Sequence, residues 1–155
     1  MRTLLLSLTL LGASQLLSGC QTTDTDLRPA NYDELAMATG HWEWERSVLG
    51  FTYNKTPASV GYTRQLVFGP DHRLLLRRRG QADFATTYQL TTYAPPGGTK
   101  SLPALRFDTA EPALPTGSLR YYDLSQQNGQ QLLTLVGERA NLDADAIETY
   151  HWVAE

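Results

Sequence analysis

The chain has 155 residues, 41% of them hydrophobic and 19% charged, with a formal net charge of −3 and a single cysteine. That length can bury one core but not two. The mild acidity argues against nucleic acid as a partner, which normally demands a basic face, and one cysteine excludes a disulfide within the chain.

Arg2 gives the N-terminus one positive charge, and Leu4 to Leu11 form an apolar stretch too short to span a bilayer. Leu17-Ser18-Gly19-Cys20 follows: an aliphatic residue, two small ones and the cysteine. This run resembles the lipobox of bacterial lipoproteins. The resemblance implies that residues 1–19 are a signal peptide cut before Cys20, whose thiol then carries a diacylglyceryl group. Acyl chains of the palmitate type would make the membrane the first partner, and two or more make attachment stable. The alternatives are an ordinary cleaved signal or an unprocessed N-terminus with a free thiol. Lipidation places the protein in the bacterial cell envelope, on the periplasmic or outer face of a membrane.

Residues 20–38 read as a lipidated tether and a short helix. Gln21 to Ala30 is polar and flexible in composition. Asn31 is a candidate N-cap with Glu34 three residues later, so Tyr32 to Ala38 is expected to form a helical turn or two, ended by Gly40.

From residue 39 the pattern changes to period two. His41 to Arg46 alternates strictly, with Trp42 and Trp44 on one face and Glu43 and Glu45 on the other. Further strands are expected at Tyr62–Phe68, His72–Arg78, Ala85–Tyr93, Pro103–Asp108, Ser118–Leu124, Gln130–Val136 and Ile147–Val153. Gly69-Pro70-Asp71, Pro95-Pro96-Gly97-Gly98, Pro112 to Gly117 and Asn128-Gly129 separate them, the last as a tight hairpin turn. The reading is all-β: one antiparallel domain over residues 39–155, about eight strands, closed as a barrel or stacked as a sandwich.

Gly40-His41-Trp42 at the first strand looks like the Gly-x-Trp signature of lipocalins and related calycin barrels. Together with Thr56 to Thr63 and Leu66-Val67-Phe68-Gly69-Pro70-Asp71, it resembles the lipocalin-like domain of short bacterial lipoproteins. The resemblance covers most of residues 39–155 and favours the barrel. It implies that Trp42 sits at a closed end beneath Tyr32–Ala38, packed against an arginine from near the last strand. The chain departs from the family there: Ile147 to Val153 holds no arginine, and Arg139 upstream is the available stand-in.

Ser47 to Val60 reads as a long loop that in such barrels partly covers the open mouth, with Phe51 and Tyr53 either as lid residues or as plain rim cover. Taking Trp42 and Trp44 as inward, alternation also points Tyr62, Leu66, Phe68, Leu74, Leu76, Tyr88 and Leu90 inward. The candidate ligand-binding set is therefore Trp42, Trp44, Phe51, Tyr53, Tyr62, Leu66, Phe68, Leu76 and Tyr88, for a small apolar or amphipathic molecule. So many bulky side chains can equally fill a barrel of this size.

No catalytic constellation emerges. Gly-x-Ser-x-Gly is missing, His41, His72 and His151 lack metal-ligand spacing, and Asn141 to Glu148 lacks the turn glycine of a calcium loop. Neither a cofactor nor a metal is expected. Arg77-Arg78-Arg79, with Arg73 nearby, is a basic patch, either solvated or facing an anionic group. The expected function is a non-enzymatic binding module. The alternative is a solid barrel that serves as an interaction or inhibitor module for another envelope protein.

Overall fold

A computed structural model describes Leu35 and residues 39–50, 53–108, 119–138 and 146–155. They form one antiparallel sheet that closes on itself. The strands are β1 (Gly40–Leu49), β2 (Tyr53–Lys55), β3 (Arg64–Phe68), β4 (Arg73–Arg78), β5 (Phe84–Tyr93), β6 (Leu102–Phe107), β7 (Leu119–Gln127), β8 (Gln130–Gly137) and β9 (Ala146–Ala154). Strands β1 and β3 to β9 pair in sequence, and β9 pairs back onto β1, giving an eight-stranded barrel. The expected all-β barrel is therefore the fold, and closure removes the free edges that an open sheet would expose.

The one strand outside the sequence reading is β2. It lies in the expected Ser47–Val60 loop and pairs with the last three residues of β1, while β3 pairs with Trp42 and Glu43 nearer its start. A single helical turn, α1 (Pro57–Val60), links β2 to β3. Thr56 caps it by accepting from Ser59 N, Ser59 Oγ accepts from Thr56 N in return, and Pro57 stands where a helical N–H has no partner.

Alternation decides which residues fill the barrel. Trp42, Trp44, Leu66, Phe68, Leu74, Leu76 and Tyr88 are all buried in one core cluster, with Tyr62 and Leu90 packed against it. Leu105, Phe107, Tyr122, Leu133, Leu135 and Tyr150 join them from the second half of the chain. Leu35 is helical and buried in the same cluster, while the rest of Tyr32–Ala38, the expected helical turn, lies outside the described residues. Asn128 (φ 53°) and Gly129 (φ 81°) both adopt the left-handed conformation required of the tight turn between β7 and β8.

Antiparallel order gives the barrel two distinct ends. The lower end holds the start of β1 and the β3–β4, β5–β6 and β7–β8 turns. The upper end holds the end of β1, β2, α1 and the β4–β5 turn. Gly40 starts the barrel at φ 148°, and a Cβ there would run into the Val153 carbonyl and the Trp152 ring. This crowding is the physical reason for glycine two residues before Trp42. Gly40→Ala is expected to cost about 1–3 kcal/mol, the scale of a strained backbone. A chemical-denaturation midpoint equal to that of the parent chain would contradict this packing.

Candidate functional site

The interior is apolar below and charged above. On the inner face near the upper end, β1 contributes Trp44 and Ser47, β3 contributes Arg64, and β9 contributes Glu148 and Tyr150. Arg64, Glu148, Ser47 and Tyr150 are all buried. Closure brings them together: Trp44 lies opposite Tyr150 and Ser47 opposite Glu148 in the β1–β9 ladder. Arg64 reaches the group from the other side of β1.

The group is tightly connected. Arg64 Nη2 donates to Glu148 Oε1 at 2.8 Å and to Ser47 Oγ at 3.0 Å. Ser47 Oγ donates to Glu148 Oε1 at 3.1 Å and accepts from Trp44 Nε1 at 2.9 Å. Tyr150 OH donates to Glu148 Oε2 at 3.1 Å. The Arg64 guanidinium also lies 4.3 Å from the centroid of Trp44, a favourable placement over the ring face. Each carboxylate oxygen of Glu148 is thus occupied, as a buried charge requires.

These contacts set the protonation states. Burial works against the Arg64 charge, but Tyr150 and Glu148 more than offset it and hold the guanidinium above its ordinary value. Burial pushes the Tyr150 hydroxyl well above the ordinary tyrosine value, the Glu148 carboxylate adds to this, and Arg64 acts in the opposite direction. Tyr150 is therefore a fixed proton donor to Glu148.

A second layer lies at the rim. Tyr62 stacks on Trp44 with centroids 6.1 Å apart and planes 20° from parallel. Arg78, directly opposite Arg64 across β3 and β4, lies 4.9 Å from the Tyr62 centroid and donates to Gln81 at 2.9 Å. The basic patch read from the sequence is thus divided. Arg73 pairs with Asp71 and Arg77 with Asp83 on the exposed face, while Arg78 turns inward.

Among the candidate ligand-binding residues, Trp42, Leu66, Phe68, Leu76 and Tyr88 are buried in the core cluster. Trp44 and Tyr62 belong to the charged upper group. Phe51 lies outside the described residues, and Tyr53 enters β2 opposite Leu49. Trp42 meets an aromatic partner, Trp152, edge-on at 5.1 Å, and the arginine that stacks on a tryptophan is Arg64 on Trp44. Arg139, the expected stand-in, lies outside the described residues.

The sequence reading did not single out Arg64, Glu148, Ser47 or Tyr150. Two of them carried a usable signal: Arg64 precedes Leu66 and Phe68, and Glu148 precedes Tyr150 and Trp152, at inward spacing. Ser47 carried none. A bulge between Trp44 and Arg46 shifts the register and turns Ser47 inward, against the plain alternation.

Elsewhere, His41 lies 3.5 Å from Glu43, and His151 lies 3.1 Å from Glu45, on the outer wall of β1 and β9. Among the described residues no three His, Cys, Asp or Glu side chains converge as a metal site would need. A cleft of about 200 Å³, lined by Leu124, Ser125, Gln126 and Gln131, opens by the β7–β8 turn at the lower end. No protein-family model, curated protein or solved structure matches the chain.

The Tyr150 proton has a measurable consequence. Because its pKa is raised in the folded state, its contribution to stability is intact below the ordinary value of 10.0 and is lost as pH rises above it. Above pH ~10 the parent chain should lose stability faster than Tyr150→Phe, by up to about 1.4 kcal/mol per pH unit. Parallel pH profiles of the two denaturation free energies would contradict the buried donor.

Proposed function

We propose that the chain is an envelope lipoprotein, anchored through Cys20, whose lipocalin-like barrel binds a small apolar or amphipathic molecule without catalysing a reaction. The binding place in this reading is the upper end, not a deep interior cavity. The observation that carries it is the uneven chemistry of the barrel interior. Leu35, Trp42, Leu66, Phe68, Leu74 and Tyr88 occupy the lower interior with packed side chains, whereas the upper interior holds a charged group beside stacked aromatic rings. Polar groups placed among aromatic side chains are what orient a ligand in a small site. Leu49 and Val60 add apolar surface nearby, Leu49 with 38% of its surface exposed.

The Gly40-His41-Trp42 opening, the buried helical Leu35 and the closed eight-stranded order support the lipocalin-like assignment. Residues 1–19 as signal peptide and Cys20 as lipidation site follow from the Leu17-Ser18-Gly19-Cys20 run. A second reading, the solid barrel as an interaction module for an envelope protein, draws on the same packed interior. It also draws on an outer patch where Tyr93 and Leu102 are exposed beside Tyr121.

Two measurements test the proposal. Cys20→Ala should move the protein from the membrane to the soluble fraction of the envelope, and retention in the membrane would contradict the anchor. A lipid and metabolite extract of the host envelope should raise the melting temperature of the purified full chain by several degrees, as binding to the folded state requires. An unchanged melting temperature, with one stoichiometric protein recovered by cross-linking, would favour the interaction module instead.

A further inference from the structure

At the lower end, β7 is unevenly paired. It pairs with β8 without a register shift from Arg120 to Gln127, but with β6 only from Leu119 to Tyr121. The two-residue Asn128-Gly129 turn makes Gln127 and Gln130 a hydrogen-bonded pair, and alternation then turns the backbone N–H and C=O of Leu124 and Gln126 away from β8. The same alternation aims Pro103 at β7, opposite Tyr122, where it has no N–H to donate. Bends at Thr99 and Lys100 precede β6, so no described strand lies along β7 below Leu102. Among the described residues, no backbone hydrogen bond outside the strand ladders involves Leu124 or Gln126.

An open strand edge is a template for another strand, and proteins normally blunt it with proline, lysine or a bulge. Leu124-Ser125-Gln126-Gln127 has none of these. The cleft of about 200 Å³ lined by Leu124, Ser125, Gln126 and Gln131 opens beside it. Leu124, Gln126 and Gln131 are in phase with the inward Tyr122 and Leu133, so the cleft has an apolar floor and two carboxamides. On the outer side Asp123 is exposed, and among the described residues no cation pairs with it. Leu102, which the β6–β7 register sets opposite Asp123, and its neighbour Tyr93 add exposed apolar surface there.

We propose that the β7 edge at residues 124–127 takes an extended peptide of a partner protein as an added strand. The peptide backbone exchanges hydrogen bonds with Leu124 and Gln126, which supplies affinity, and its alternate side chains supply specificity. Small apolar side chains on one face of the peptide rest on Leu124 in the cleft. On the other face, a lysine or arginine opposite Ser125 lies diagonal to Asp123 and gives that carboxylate its partner. An acidic residue at the same place is repelled. The inference is independent of the small-molecule reading, because this edge and the Arg64–Glu148 group are at opposite ends of the barrel.

The test titrates the purified full chain with an end-blocked peptide of sequence Val-Thr-Val-Lys-Val-Thr. Two controls accompany it: the same peptide with alternate backbone amides N-methylated, and the same peptide with glutamate in place of lysine. The parent peptide should bind about tenfold more tightly than the N-methylated one, as loss of the backbone bonds requires. It should also slow hydrogen exchange of the Leu124 and Gln126 amides by about tenfold or more. Gln126→Pro removes a donor that β8 does not use, so it should abolish binding while circular dichroism stays unchanged, and Gln126→Ala should bind normally. Asp123→Asn should remove the preference for lysine over glutamate. Equal binding of the N-methylated peptide, or unprotected Leu124 and Gln126 amides, would overturn strand addition. A lysine preference that survives Asp123→Asn would overturn the basic partner. A concentration-dependent dimer of the parent chain that Gln126→Pro dissolves would overturn the foreign peptide and assign the edge to a second copy.

Discussion

The pairing of β9 onto β1 is the constraint on which the other features depend. It joins the first and last strands of the domain through a ladder running from Gly40 opposite Ala154 to Leu49 opposite Ala146. Without it both strands would be open edges, and the two aromatic rows, Trp42 and Trp44 on one side and Tyr150 and Trp152 on the other, would face solvent. Closure also explains why the start of the strand is glycine, because the neighbouring backbone and the Trp152 ring occupy the space of a side chain. The polar group is a product of the same ladder. Ser47 and Glu148 are far apart in sequence and meet only because the barrel closes.

A buried ion pair in such a place needs an explanation other than stability. Removing two charges from water costs several kcal/mol per ion, and mutual attraction offsets this only when every oxygen and N–H is satisfied. Glu148 meets that condition through Arg64, Ser47 and Tyr150, whereas Arg64 does not, since its Nε lacks an acceptor. A hydrophobic pair of similar volume would serve packing better. The location of the charge at one end, above an interior filled by apolar side chains, fits a role in recognition. It also gives the barrel a polarity: the Gly40 end is packed with apolar side chains, and the end bearing β2 and α1 holds the charged group.

Much of this arrangement was legible in the sequence, and the limits have physical causes. Strict alternation at Trp42-x-Trp44, Leu66-x-Phe68 and Leu74-x-Leu76 identified strands and inward faces, because one buried face leaves no freedom of register. Asn128-Gly129 identified its turn because few residues tolerate two successive left-handed conformations. The three-residue β2 escaped because so short a segment has no period to detect. The charged group escaped because alternation was read through apolar residues alone, so Arg64 and Glu148, in phase with them, were passed over. Ser47 could not have been found that way, since the bulge after Trp44 reverses its face. Arg78 appeared as part of a surface patch, and its inward turn depends on the β3–β4 register that sets it opposite Arg64.

The central claim is that this barrel carries a small ligand in the envelope. Native mass spectrometry of the protein, purified gently from its own host's envelope, addresses it most directly. The account predicts an extra mass beyond the acylated chain, retained in the folded protein and released on denaturation. A bare acylated chain, still bare after incubation with envelope extract, would contradict it.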